Sequence, residues 1–139
     1  MARELARLGR DRPTRAPYAS GPFDADAPES DLRTDSVRRV ADIVLTFQTP
    51  SGGWSKHVDM TRRGRQPGES YYSESESWNY IATIDNGATT SQMRFLGRVY
   101  EATGDVRYRD AFARGLEYLL RAQFPNGCWP QVYPLQGSY

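Results

Sequence analysis

Gln48-Thr49-Pro50-Ser51-Gly52-Gly53-Trp54 and Gln123-Phe124-Pro125-Asn126-Gly127-Cys128-Trp129 are the two stretches that decide how this chain folds. Gln, Pro, Gly and Trp fall at the same offsets, 75 residues apart. Each stretch follows a segment with helical periodicity, so a helix that exits through Q-x-P-[SN]-G-x-W occurs twice. A repeated unit says more about architecture than any single motif. Pro and Gly make the turn, because Pro presets its own φ and Gly accepts a left-handed one. The indole can then cover the end of a neighbouring helix. No strand unit repeats. The expected fold is therefore all-α, a toroid of helical hairpins; TPR-like solenoids use shorter and more regular periods. Trp54 and Trp129 are both expected to be buried packing residues.

The helices lie upstream of and between these turns. Val37, Val40, Val44 and Phe47 stand at i, i+3, i+7 and i+10, with Ile43 beside them, which is one helical face. Asp35 or Ser36 is placed to cap that helix. A second helix runs from about Asn86 to Thr103. Its stripe of Met93, Leu96 and Tyr100 is widened by Phe95, Val99 and Ala102, as for a helix packed on two sides. Gly104 suits a left-handed position after it, and Asp105 caps the next helix. That third helix spans about Val106 to Gln123 with Tyr108, Phe112, Leu116, Leu119 and Leu120 as its face and Gly115 permitting close approach. The short connection makes helices two and three antiparallel neighbours.

Two regions lack such periodicity. Residues 1–35 read as a disordered leader or linker. Five Arg against two acids in the first twenty residues are followed by five acids against one Arg, with Gly21, Pro22 and Pro28. Segregated charge and few apolar residues do not offset the entropy of ordering. Residues 55–85 form a long polar stretch in which Arg62, Arg63 and Arg65 precede Tyr71, Tyr72, Trp78 and Tyr80. So long a loop is functional or irregular. Interleaved Arg, Tyr and Trp could serve a carbohydrate or a single nucleic-acid strand; an irregular excursion is the expected reading.

Composition narrows the chemistry. Eighteen basic residues face 17 acidic ones in 139, a net charge of +1, so no nucleic-acid partner is expected. Seventeen of the basic residues are Arg; Lys56 is the sole lysine. One cysteine, Cys128, excludes an intrachain disulfide and Cys-cluster metal sites, and one histidine, His57, excludes two-histidine sites. His57 is expected to be a loop residue without a catalytic role. No Gly-rich phosphate loop or nucleophile elbow occurs. Ile43-Val44-Leu45, the longest strongly apolar run, is far too short to span a membrane, and the Arg-rich N-terminus shows no signal peptide.

Four segments together resemble polysaccharide lyase family 10, the pectate lyases with an (α/α)3 toroid. They are Gln48–Trp54, the run Thr83-Ile84-Asp85-Asn86-Gly87-Ala88-Thr89-Thr90, Arg94–Asp105 and Gln123–Tyr139. The resemblance covers about residues 36–139, read as the N-terminal portion of the toroid domain. Cys128 stands where the family usually has Gly, with a buried thiol or minor strain expected. The resemblance implies calcium-dependent anti-β-elimination of polygalacturonate. The C5 proton of a uronate is poorly acidic, and a hard cation on the carboxylate stabilises the enolate-like intermediate.

Asp85 matches the family's calcium-binding aspartate. The second calcium aspartate and the arginine base are expected beyond Tyr139, so no catalytic residue is assigned here. The piece is expected to be truncated and inactive alone. The resemblance further implies a monomeric, extracellular or periplasmic enzyme. Read without it, Asp85 is an ordinary turn and helix cap. Two alternatives stand beside the lyase. One is another toroidal carbohydrate enzyme of the glycoside hydrolase type, pairing Asp85 with Glu74 or Glu76; a terpene cyclase would need an aspartate-rich motif. The other is a helical module that binds a partner through residues 71–80.

Overall fold

The computed structural model of the chain describes residues 1–24, 26–74 and 78–135. Among them run α1 (Ala2–Arg7), α2 (Asp35–Thr46), α3 (Thr90–Thr103) and α4 (Val106–Ala122), with strands β1 (Ala82–Thr83) and β2 (Val132–Tyr133). The fold is all-α apart from that short antiparallel ladder, which pairs Ala82 with Tyr133 and Thr83 with Val132.

Local chemistry accounts for the helix ends. Thr34, one residue earlier than expected, caps α2: its Oγ1 accepts the Val37 N–H at 3.3 Å. Gly104 ends α3 at φ 71°, and the Asp105 carboxylate caps α4 by accepting the Arg107 N–H at 3.1 Å. Helices α3 and α4 are antiparallel, since Met93 faces Gly115 while Gly97 faces Phe112.

The face of α4 differs from the expected one. Tyr108, Ala111, Gly115, Tyr118 and Ala122 are buried, whereas Leu116 and Leu120 are exposed and Phe112 and Leu119 only partly covered. The cause is close approach. A Cβ on Gly115 would lie 2.7 Å from Met93 Cγ and 3.1 Å from Trp54 Cζ3. Small residues and tyrosines line this seam, and the larger aliphatic side chains fall on the outer side. The main core gathers Val44 of α2 and Phe47 just after it, Trp54, Leu96 and Val99 of α3, and Tyr108 and Ala111 of α4.

Residues 1–35 are not a solvated leader in this structure. Leu5, Ala16 and Leu32 are buried, and Phe23 meets Phe95 edge-on at 5.3 Å. Thr14 and Tyr18 form single β-bridges to Glu69 and Val58. These anchors come one at a time and partly through the backbone, so they leave no periodic trace in the sequence.

The described residues of the 55–85 stretch are largely irregular but tightly held. Arg63 grips both oxygens of Glu69 at 2.6 and 2.9 Å, and Glu69 is only 2% exposed. Arg65 grips both oxygens of Glu4 at 2.6 and 3.3 Å, and its guanidinium lies 4.1 Å from the Tyr71 ring centre. Tyr72 and Trp78 pack with Ile81 and Val132 in a second apolar cluster. Among the interleaved residues Arg65 thus meets Tyr71 and Tyr72 meets Trp78, while Arg62 and Arg63 pair with Asp59 and Glu69.

The two turns have the same backbone. Gln48 Nε2 donates to the Gly52 carbonyl at 2.7 Å and Gln123 Nε2 to the Gly127 carbonyl at 3.0 Å. The Thr49 and Phe124 N–H groups donate to the Gly53 and Cys128 carbonyls, each at 2.8 Å. Trp54 Nε1 donates to Val44 O at 2.9 Å, and Trp129 Nε1 to Leu119 O at 2.8 Å. Their surroundings differ. Trp54 is 0% exposed beneath α4, but Trp129, expected to be buried, is 46% exposed because none of the described elements covers it. Cys128, for which a buried thiol or minor strain was expected, is exposed.

Candidate functional site

The run Thr83-Ile84-Asp85 is threaded between the exits of the two turns. On one side the Thr83 N–H donates to the Trp54 carbonyl at 3.0 Å, and Thr83 Oγ1 accepts the Lys56 N–H at 2.9 Å. On the other side the Ile84 N–H donates to the Gln131 carbonyl at 2.9 Å. Thr89 locks the run from its far end: its buried hydroxyl accepts the Trp54 N–H at 3.0 Å and lies 2.9 Å from the Thr83 carbonyl.

This threading places Asp85 between two donors. Lys56 Nζ lies 2.7 Å from Asp85 Oδ2, and Gln131 Nε2 donates to the same oxygen at 2.6 Å. The Lys56 side chain is 11% exposed, so water screens the pair weakly. Oδ1 is buried and accepts no hydrogen bond. A buried carboxylate oxygen without a partner is unfavourable, typically by about 1–3 kcal/mol or more for a charged group. Asp85 does not cap α3: that helix starts at Thr90, and its first turn receives no side-chain cap.

Backbone strain is concentrated here. His57, Asn86 and Thr89 are the non-glycine residues with positive φ among those described, at 56°, 51° and 67°. All three adjoin the Asp85 run or the Lys56 turn. Such conformations cost on the order of 1–3 kcal/mol each and persist where the surroundings over-determine them, as functional sites do.

Asn86 and Gly87, next to Asp85, line a cavity of about 580 Å³ with Gly21, Pro22, His57 and Ser91. A groove of about 620 Å³ over α2, lined by Asp35, Arg38, Arg39 and Asp42 among others, shares no residue with it. His57 Nδ1 lies 2.6 Å from Glu74 Oε1, and Tyr72 OH donates to Glu74 Oε2 at 2.7 Å. The Tyr72 hydrogen bond, with further help from His57, holds the Glu74 carboxyl below the usual glutamate range. A glycosidase general acid needs the opposite shift. Glu76, the other carboxylate weighed for that role, lies outside the described residues.

Among the described residues no three His, Cys, Asp or Glu side chains converge on a metal position. Asp85 supplies a single hard oxygen, Oδ1, that is buried and makes no hydrogen bond. Lys56 and Gln131 were not expected at the site. Their signal was nonetheless present: each stands two residues past a repeated Trp, and Lys56 is the sole lysine.

Comparison with known proteins places the chain in a class of polysaccharide lyases. The family model for pectic acid lyase matches residues 48–139, and the chain belongs to that family, polysaccharide lyase family 10. The family 10 polysaccharide lyase from Cellvibrio cellulosa is similar in structure, with a TM-score of 0.60 and 39% identity over 80% of this chain and 32% of that one. An aspartate-to-alanine mutant of the Cellvibrio lyase, in complex with trigalacturonic acid, is 38% identical with the same TM-score and coverage. The chain thus spans about a third of the length of these relatives. No curated protein sequence matches it. No helix among the described residues is long and apolar enough to cross a membrane.

Proposed function

We propose that this chain forms part of a pectate lyase that cleaves polygalacturonate by calcium-assisted anti-β-elimination, with Asp85 as a calcium ligand. The observation that carries the reading is the asymmetry of Asp85: one oxygen is held by two donors, and the other is buried without a partner. When bound, calcium neutralises the uronate carboxylate and stabilises charge that develops as the C5 proton leaves. Asp85 Oδ1 is the atom of this chain that would hold it. The cavity lined by His57, Asn86 and Ser91 is of a size that a sugar-sized ligand fills, about 300 Å³ or more. The trigalacturonic acid in the similar Cellvibrio complex supports an oligogalacturonate as that ligand.

Proton removal is not assigned to an arginine of this chain. Arg63 and Arg65 are committed to Glu69 and Glu4. A guanidinium paired with a carboxylate stays charged and cannot take a proton. The antiparallel α3–α4 hairpin and the repeated turns support an (α/α)3 toroid to which residues 36–139 contribute. The polymeric extracellular substrate fits an exported, monomeric enzyme.

The test is a chimera of this chain with the remaining two thirds, roughly, of the Cellvibrio lyase. On polygalacturonate it should give a calcium-dependent rise in ultraviolet absorbance from the unsaturated product, abolished by chelation and by Asp85→Ala. Full activity of the Asp85→Ala chimera at low calcium would reduce Asp85 to a structural residue.

A further inference from the structure

Lys56 and Gln131 are equivalent positions of the repeat, 75 residues apart and each two past its Trp. Both donate to Oδ2 of Asp85, at 2.7 and 2.6 Å, and neither hydrogen-bonds to Oδ1. Their backbones are tied to the same run, Lys56 N–H to Thr83 Oγ1 and Gln131 O to the Ile84 N–H. The two turns therefore converge on one carboxylate atom.

The residue types carry the argument further. This chain uses arginine for 17 of its 18 basic positions. Where arginine meets a partly or fully buried glutamate, it takes both oxygens. Arg63 does so with Glu69, and Arg65 with Glu4. The planar fork matches a carboxylate two to one, whereas an ammonium is a point charge that settles on a single oxygen. The sole lysine stands where one oxygen is left bare, and its repeat partner is an amide that also donates to one oxygen only.

We propose that Lys56 and Gln131 are positioning residues that pin Oδ2 of Asp85 so that Oδ1 alone is presented to a divalent cation, and that position 56 requires a one-oxygen donor. The proposal rests on reading Asp85 as a cation ligand. Arginine at 56 would keep the charge and the ion pair but cap Oδ1. Glutamine at 56 would copy Gln131, pinning Oδ2 without a competing positive charge.

The experiment compares the 139-residue chain with its Lys56→Arg, Lys56→Gln and Asp85→Asn variants. Thermal unfolding reports the ion pair as structure, NMR titration with calcium chloride into the millimolar range reports the free oxygen, and infrared carboxylate difference bands against Asp85→Asn report its geometry without metal. Lys56→Arg should unfold at or above the wild-type temperature, bind calcium at least tenfold more weakly, and show a two-oxygen carboxylate signature. Lys56→Gln should bind at least as tightly as the wild type and keep the one-oxygen signature. A Lys56→Arg chain that binds calcium like the wild type overturns the proposal. If no Asp85-dependent calcium shift occurs in any chain, the ligand reading of Asp85 fails in this chain and the infrared bands decide the clamp. Identical bands for Lys56→Arg and wild type would then refute it.

Discussion

Replacing the two tryptophans by alanine, one at a time, should produce unequal losses of stability although their turns have the same hydrogen bonds. Trp54 is 0% exposed and Trp129 is 46% exposed. A tryptophan buries up to about 250 Å², and at about 25 cal/mol per Å² that gives roughly 6 kcal/mol as an upper bound. Measured losses for large aromatic truncations run at about 3–5 kcal/mol, which is the expectation for Trp54→Ala. Its indole N–H also donates to the carbonyl of fully buried Val44, which would keep only the longer bond from the Phe47 N–H at 3.2 Å. Trp129 has about half its surface to lose, so about 1.5–2.5 kcal/mol is expected, and the Leu119 carbonyl keeps the Gln123 N–H at 3.2 Å when the indole is removed. Urea unfolding followed by far-ultraviolet circular dichroism checks this. With a slope of about 1.5–2 kcal/mol per molar, the two midpoints should differ by about 1 M. Trp54→Phe, which keeps most of the apolar surface, should fall between wild type and Trp54→Ala, and it serves if Trp54→Ala does not fold. Coincident midpoints for the two alanine variants would refute the reasoning, because burial would then not govern the cost.

Gly115→Ala should destabilise by about 1–3 kcal/mol, since its new Cβ would stand 2.7 Å from Met93 Cγ and 3.1 Å from Trp54 Cζ3; an unchanged urea midpoint would mean that α4 sits farther from Trp54. Removing residues 1–33 should lower the midpoint, because it uncovers Phe95 and takes away Leu5, Ala16 and Leu32; helix content and midpoint preserved in the shorter chain would show that the segment contributes nothing. The Arg65 hydrogen bond holds the Glu4 carboxyl below its ordinary value of 4.5. That contribution is present above pH 4.5 and is lost as pH falls through the depressed value. Glu4→Gln should accordingly flatten part of the acid limb of a stability–pH curve, and an unaltered limb would count against the pair. On polygalacturonate with calcium the isolated chain should give no ultraviolet rise, since calcium takes six to eight oxygens and the described residues offer one matched carboxylate; measurable calcium-dependent cleavage would contradict this.

Periodicity exposed the helices and the buried faces of α2 and α3, and failed at the face of α4. Val44 and Phe47 lie in the core as the i, i+3, i+7 spacing of α2 requires. On α4 the same reasoning favoured Leu116 and Leu120 because they are large, whereas the seam selects Ala111, Gly115 and Ala122 because they are small. Which face of a helix is buried depends on how near its neighbour comes, and distance has no period. The repeat foretold the twin turns correctly at the level of the backbone, because Gln, Pro, Gly and Trp act within each turn. It misjudged Trp129, whose burial depends on a neighbour that the turn does not specify. At the site, Asp85 was marked by its Thr-Ile-Asp-Asn-Gly-Ala-Thr context, but its partners lie 29 residues before and 46 after it. Only the offset from each Trp could have connected them. The ordering of residues 1–35 was hidden because its anchors are single residues and backbone bridges.

The self-contained hydrogen bonding of the second turn has a thermodynamic consequence. The Trp129 indole is already fixed to the Leu119 carbonyl at 2.8 Å, and Gln123 already closes the turn onto Gly127. Its rotamer freedom has been surrendered within the repeat itself. Immobilising a large side chain on contact typically costs about 0.5–1.5 kcal/mol. For this indole that entropy is lost when the turn folds, so shielding it from water leaves mainly the hydrophobic gain.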